Sequence, residues 1–166
     1  MNRRNFLHSV IGLAAVSTFA CAATEAPTPM KITDFTPLKK SKDEWKKLLP
    51  SDSYAVLFEE DTERPNSSAL NSEHRKGEFV CAACYLPLFD ASKKFDSGTG
   101  WPSFWKALDN AVEISSDTSL GMSRDECHCR RCGGHLGHVF HDVPDQPENN
   151  RYCMDGLALK FVPKAA

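Results

Sequence analysis

Apolar positions change their spacing part-way along this chain. Trp45, Leu48 and Leu49 recur at helical intervals and stop at Pro50, and Ser41-Lys42-Asp43-Glu44 stands just before them. In that tetrapeptide the Ser hydroxyl and the Glu carboxylate can each satisfy the other's backbone N–H, which is a capping box. The pattern predicts a short amphipathic helix, with further helix or turn over Ser53 to Phe58. Thr62 to Lys76 is polar and holds Pro65, Asn66 and Asn71, so it is expected to be a long covering loop. Beyond it the period falls to two. Glu78-Phe79-Val80, Leu88-Phe89, Ala111 to Ile114, Asp125 to His128, Val139-Phe140 and Leu157 to Phe161 are short apolar or alternating runs bounded by Gly, Pro, Asn or Asp. They predict antiparallel strands, and so a mainly β domain with short N-terminal helices. No repeat of 20 to 50 residues and no Gly-rich phosphate loop is present.

The first residues follow other rules. Arg3 and Arg4 precede an apolar run, Val10 to Ala20, that is too brief to span a bilayer as a stable helix, and Ala20-Cys21-Ala22-Ala23 has the small residues of a cleavage site. Residues 1–23 are therefore expected to be an export signal. Arg3-Arg4-Asn5-Phe6-Leu7 resembles the twin-arginine type, whose route carries proteins already folded with their cofactor. Cleavage near Ala22 or Ala23 would release a periplasmic protein; lipid attachment at Cys21 is the alternative and the one route to a membrane. Residues 24–30 read as a Pro-containing linker and 31–166 as the domain. At 166 residues, 41% hydrophobic and 25% charged, one core suffices. A net charge of −2 and a pI of about 6.3 leave no basic footprint for nucleic acid. Nothing points to an oligomer, so a monomer is expected.

The cysteines divide unevenly. Cys81/Cys84 and Cys129/Cys132 form two Cys-x-x-Cys pairs, while Cys153 stands alone. Four thiolates in paired knuckles suit a closed tetrahedral Zn²⁺ site, which is structural because no coordination position stays open. The gap between pairs exceeds the roughly 15–20 residues of ordinary zinc ribbons, so the ion would staple distant parts of the domain. Gly133 and Gly134 supply the positive φ that a knuckle needs. Disulfides, or a redox Cys-x-x-Cys pair, are the competing readings.

Three further segments concentrate glycine, aromatic, imidazole and thiol groups: Ser97 to Trp105 (SGTGWPSFW), His135 to Phe140 (HLGHVF) and Arg151 to Gly156 (RYCMDG). A core has no need of that combination. With the two Cys pairs these motifs, spanning roughly Ser41 to Pro163, resemble the B-type peptide-methionine (R)-S-oxide reductases. The resemblance implies two antiparallel sheets in a β-tent, a structural zinc remote from the pocket, and reduction of methionine (R)-S-oxide in oxidised proteins or peptides. A sulfoxide sulfur is electrophilic but its oxygen leaves badly, so reduction needs an attacking thiolate and a proton donor. Cys153 is the expected nucleophile, activated by Arg151. His138 delivers the proton, His135 helps and Asp142 orients the network, although the two imidazole roles are exchangeable. Trp101 and Phe140 form the wall for the S-methyl group. The sulfenic acid left on Cys153 is reduced by a thioredoxin-like or other thiol.

Two positions depart from the family pattern. Thr99 stands where many relatives carry a resolving cysteine, which leaves Cys127 as a resolving, structural or spare metal-binding thiol, and direct reduction by an external thiol as the default. Asp155 stands where Asn is common; an ionised carboxylate only accepts hydrogen bonds and would repel a thiolate. Two rival functions stay in view: an interaction module that keeps only the metal, and a thiol-disulfide oxidoreductase working through Cys81/Cys84.

Overall fold

The computed structural model describes residues 36–119 and 121–164, so the expected export signal and linker lie outside the described residues. The capping box forms as predicted: Glu44 donates its N–H to Ser41 Oγ (3.3 Å), and Ser41 donates its own to Glu44 Oε2 (2.8 Å). Helix α1 runs Lys42–Leu48, and a second helix, α2, covers Ser51–Glu59 and ends on Glu60 in the left-handed region. Trp45 is buried and stacks on Phe58 with centroids 5.3 Å apart. Leu48, expected on the same face, is exposed, because one turn beyond Trp45 the short helix has left the core.

The strands are β1 (Gly77–Cys81), β2 (Pro87–Asp90), β3 (Lys94–Phe95), β4 (Ser103–Phe104), β5 (Val112–Asp117), β6 (Arg124–Cys129), β7 (His135–Phe140), β8 (Arg151–Met154) and β9 (Leu159–Pro163). They form two antiparallel sheets, ordered β2-β1-β9 and β3-β4-β8-β7-β6-β5. Fully buried Phe79, Phe89 and Phe104 meet in the core, Phe89 stacking on Phe104 at 4.3 Å and Phe79 meeting it edge-on at 4.9 Å. The chain changes sheets between β8 and β9 through a 3₁₀ turn at Gly156–Ala158. The strand expected from Leu157 therefore starts only at Leu159. The polar stretch before β1 does form a covering segment, with a 3₁₀ turn at Ala69–Ser72. It is pinned to Gly100, whose carbonyl accepts from Asn66 N–H (2.7 Å) and Asn71 Nδ2 (2.8 Å).

One irregularity sets the geometry of the second sheet. Between β6 and β7 the register steps from Cys127↔Gly137 to His128↔His135, leaving Leu136 as an extra residue. A bulge of this kind re-aims the side chains beyond it. Gly137 carries it at φ 138°, and a Cβ there would lie 2.2 Å from the Cys153 carbonyl oxygen. Both the backbone angle and the contact exclude a side chain. Gly137→Ala is expected to cost about 2 kcal/mol or more, lowering the melting temperature by roughly 5–10 °C. A thermal melt within about 1 °C of wild type would show that β7 and β8 do not need this close approach.

Candidate active site

Strand pairing brings the expected residues together. Cys153 on β8 lies directly opposite His138 on β7, which lies opposite Glu126 on β6. Side chains across adjacent strands at one register share a face, so thiol, imidazole and carboxylate stand in a row. The bulge turns His135 onto the same face, its ring 5.4 Å from that of His138. A cavity of about 340 Å³ opens over this row and is lined by Trp101, His135, His138, Phe140, Cys153 and Asp155, among others. Trp101 is anchored through Nε1, which donates to the Glu63 carbonyl at 3.2 Å. A larger hollow of about 580 Å³, between β1, the start of the 3₁₀ turn after β2 and the end of β9, includes none of these residues.

Each basic side chain at the site is paired with a carboxylate, two of them with the same one. His138 Nε2 lies 3.0 Å from Asp117 Oδ2, and Arg124 pairs with the same oxygen. Hydrogen bonds from Ser119, His138 and Arg124 hold the Asp117 carboxyl well below the usual range, so it stays ionised. His135 Nδ1 sits 2.6 Å from Glu126 Oε1, and its Nε2 is 3.7 Å from Asp155 Oδ2. Burial pushes the His135 imidazole down, but Asp155 and Glu126 outweigh it, and the net direction is up. Arg151 donates to Asp142 at 3.0 and 2.6 Å and lies over the Phe140 ring at 4.3 Å. Asp142 thus holds the arginine, not the histidines as expected; Asp117 and Glu126 orient the rings.

The state of Cys153 also differs from expectation. Burial pushes its thiol up; the Thr99 hydroxyl and Arg151 pull the other way without winning, and Asp155 adds to the rise. Arg151 acts in the expected sense, but its charge is shared with Asp142. Buried Asp155, 4% exposed, accepts from Glu63 N–H at 3.1 Å and faces the His135 ring across 3.7 Å. Glu63 escaped the sequence reading altogether. Its carboxylate accepts from Gly156 N–H (2.6 Å), its N–H reaches Asp155 and its carbonyl holds Trp101. No local pattern marks one acid in a polar loop for that task.

The four paired cysteines converge, with their sulfurs all within 4.8 Å of one another. Cys81 Sγ is 3.7 Å from Cys132 Sγ, and Cys84 Sγ is 3.5 Å from Cys129 Sγ. Such a cluster could hold a metal ion. The two knuckles are alike: Tyr85 N–H donates to the Cys81 carbonyl as Gly133 N–H does to that of Cys129, at 2.9 and 2.8 Å. Gly133 has the expected positive φ, and so does Tyr85, which the sequence did not suggest. Gly134 serves differently, since a Cβ there would meet Leu57 Cδ2 at 2.9 Å. Cys127 is fully buried and burial pushes its thiol far up; it lies opposite Gly137, which lies opposite Met154. Alternation puts it on the sheet face away from Cys153.

Residues 49–163 match the SelR domain. The peptide methionine sulfoxide reductase MsrB of Leifsonia xyli subsp. xyli (strain CTCB07) is 45% identical over 128 residues, 76% of this chain and 92% of that protein. The MsrB of Methanosarcina barkeri (strain Fusaro / DSM 804) is 47% identical over 125 residues, 75% and 87% of the two chains. That of Bradyrhizobium diazoefficiens is 48% identical over 126 residues, 75% and 90%. A solved Mis18 'Yippee-like' domain covers 55% of this chain at 18% identity with a TM-score of 0.45, a likeness too slight to bear on function. With the matched domain filling most of its length and relatives this similar across nearly their whole sequences, the chain belongs to the SelR family of B-type peptide methionine sulfoxide reductases.

Proposed function

We propose that this protein reduces the R epimer of methionine sulfoxide, in oxidised proteins or peptides, at Cys153. The observation that carries the reading is the direct opposition of Cys153 and His138 across β8 and β7, in a cavity that Trp101 also lines. The Cys153 thiolate attacks the sulfoxide sulfur as the S–O bond breaks. His138, oriented by Asp117, gives a proton to the oxygen, which moves to the Cys153 sulfur as the sulfur–sulfur bond made by the attack breaks, leaving a sulfenic acid on Cys153 and releasing methionine. Two electrons move from Cys153 to the substrate. Two external thiol groups then reduce the sulfenic acid, releasing water and forming a disulfide between themselves. Thr99 has no sulfur to offer and Cys127 lies on the far face, which supports an external reductant. His135, whose imidazole Glu126 and Asp155 push toward the protonated form against its burial, assists His138. Arg151, held by Asp142 on the Phe140 ring, completes the wall. Arg3-Arg4 and the apolar run after them support a periplasmic setting, with Cys21 anchoring as the variant of that reading.

The metal we assign is zinc, held by Cys81, Cys84, Cys129 and Cys132. Zn–S bonds near 2.3 Å in a tetrahedron place sulfurs about 3.8 Å apart, close to the 3.5 and 3.7 Å found here. Zinc bound there supplies a cross-link between the β1–β2 and β6–β7 turns and no chemistry at the pocket.

Three outcomes follow. With dithiothreitol as reductant, wild type turns over the R epimer of a methionine sulfoxide substrate and Cys153→Ser does not; turnover of the S epimer alone, or an active mutant, overturns the assignment. Metal analysis finds one zinc per chain, and Cys84→Ser loses it with a melting temperature lower by on the order of 10 °C or more; an unchanged melt refutes a structural ion. Because the native pKa of His135 is raised, its stabilisation is complete below the unfolded value of about 6.5 and fades as pH rises through the native one. Asp155→Asn shrinks that rise, so its stability falls less than that of wild type between about pH 6 and 8; a steeper fall in urea titrations contradicts the pairing.

A further inference from the structure

Thr99 Oγ1 lies 3.7 Å from Cys153 Sγ and 2.8 Å from Ser97 Oγ, and Ser97 Oγ lies 2.7 Å from Ser103 Oγ. The line ends at the Trp101 carbonyl, which accepts from Ser103 Oγ at 3.1 Å. A hydroxyl carries one proton and so donates once. Ser103, fully buried, gives its proton to Trp101, so its bond to Ser97 is one in which it accepts. Ser97 then accepts from Thr99, and Thr99 has only lone pairs left to offer Cys153. Three hydroxyls and one thiol supply four hydrogens for four contacts, and every contact is satisfied while Cys153 keeps its proton. Without that proton, three hydrogens remain. A thiolate attracts the Thr99 O–H through a charge-assisted bond stronger than a neutral one, so all three hydroxyls turn around and the Trp101 carbonyl is the acceptor left without one.

We propose that Ser97, Thr99 and Ser103 form a hydroxyl relay whose hydrogen bonds reverse direction when Cys153 ionises, with Thr99 the positioning residue at the sulfur. No proton passes along it, since a carbonyl is no proton sink; O–H bonds rotate, and the proton of Cys153 leaves to solvent. The relay joins the sulfur to the backbone that carries the Trp101 indole, so ionisation and the substrate wall are coupled through four hydrogen bonds. The charged groups facing Cys153 are Arg151 and Asp155 on its own strand and after it, and His138 from β7 with Asp117 and Arg124 behind. Glu126 and His135 lie beyond, Glu60 at the end of α2 lines the same cavity, and the loop before β4 adds the exposed Asp96, which accepts from Gly98 N–H. None of them touches the three hydroxyls by any hydrogen bond among the described residues.

The inference rests on Cys153 being the reactive thiol, but its test needs no turnover. The rate of Cys153 alkylation by iodoacetamide is followed against pH by mass spectrometry of the peptide that contains it. Thr99→Val removes the donor to the thiolate and raises the midpoint by about one pH unit. Ser103→Ala and Ser97→Ala each free the relay from its resting direction and lower the midpoint, by roughly half a unit. Thr99→Ser restores the wild-type profile. Circular dichroism confirms folding, and if one serine variant does not fold the other gives the same reading. Opposite shifts for Thr99→Val and a serine variant support the relay, because loosened packing would move both the same way. Shifts of one sign, or no shift in any variant, overturn it, and leave the assignment of methionine sulfoxide reduction standing or falling on its own assay.

Discussion

The site depends on how closely β7 can approach β8. Gly137 rests against the Cys153 carbonyl at a distance no side chain allows, at a backbone angle that favours glycine. That contact sets the register in which Cys153 faces His138. It also carries the extra residue, Leu136, that turns His135 onto the same face. In an unbroken strand, residues three apart point to opposite sides. One glycine therefore decides whether two imidazoles and a thiol share a pocket or are divided between pocket and core.

Around that register the charges are arranged in neighbouring pairs, so that the Arg151 charge that favours the thiolate is shared with Asp142. Arg151 is taken by Asp142, His138 by Asp117 with Arg124, and His135 by Glu126 and Asp155. Burial is the largest influence on Cys153, and it favours the neutral thiol. Burial thus favours the neutral Cys153 thiol at rest, with the His138 imidazole directly across the strand pair. Carboxylates fix the direction of each ring, which matters because an imidazole donates only along its N–H bonds.

The sulfurs are sorted by topology. Among the described cysteines, four gather where the β1–β2 and β6–β7 turns meet, one lies on the inner face of β6, and one opens on the pocket. The two turns are equivalent in their backbone hydrogen bonds, although one uses glycine and the other Tyr85 at the residue with positive φ. The clustered sulfurs and Cys153 stay apart although one sheet carries both, because β7 lies between β6, which ends at Cys129, and β8, which holds Cys153.

Much of this was legible in the residues themselves. The capping box, the change of period from helix to strand, the paired cysteines and the grouping of Trp101, His135, His138, Arg151 and Cys153 all rest on local spacing, and local spacing is what backbone hydrogen bonding reads. The short strands β3 and β4 and the central strand β8 were not anticipated, since two to four residues show no period and are held by their neighbours. Nor were Glu63, Asp117, Glu126 and the hydroxyl of Thr99 assigned to the site. Each reaches it from a separate loop or strand, and nothing in its immediate sequence separates it from an ordinary surface group. The sequence determined which groups the molecule possesses and the kinds of element that carry them. Only the tertiary structure decided which carboxylate meets which cation, because ion pairing and burial depend on distances through space that strand register, a single bulge and a sheet-to-sheet crossing create.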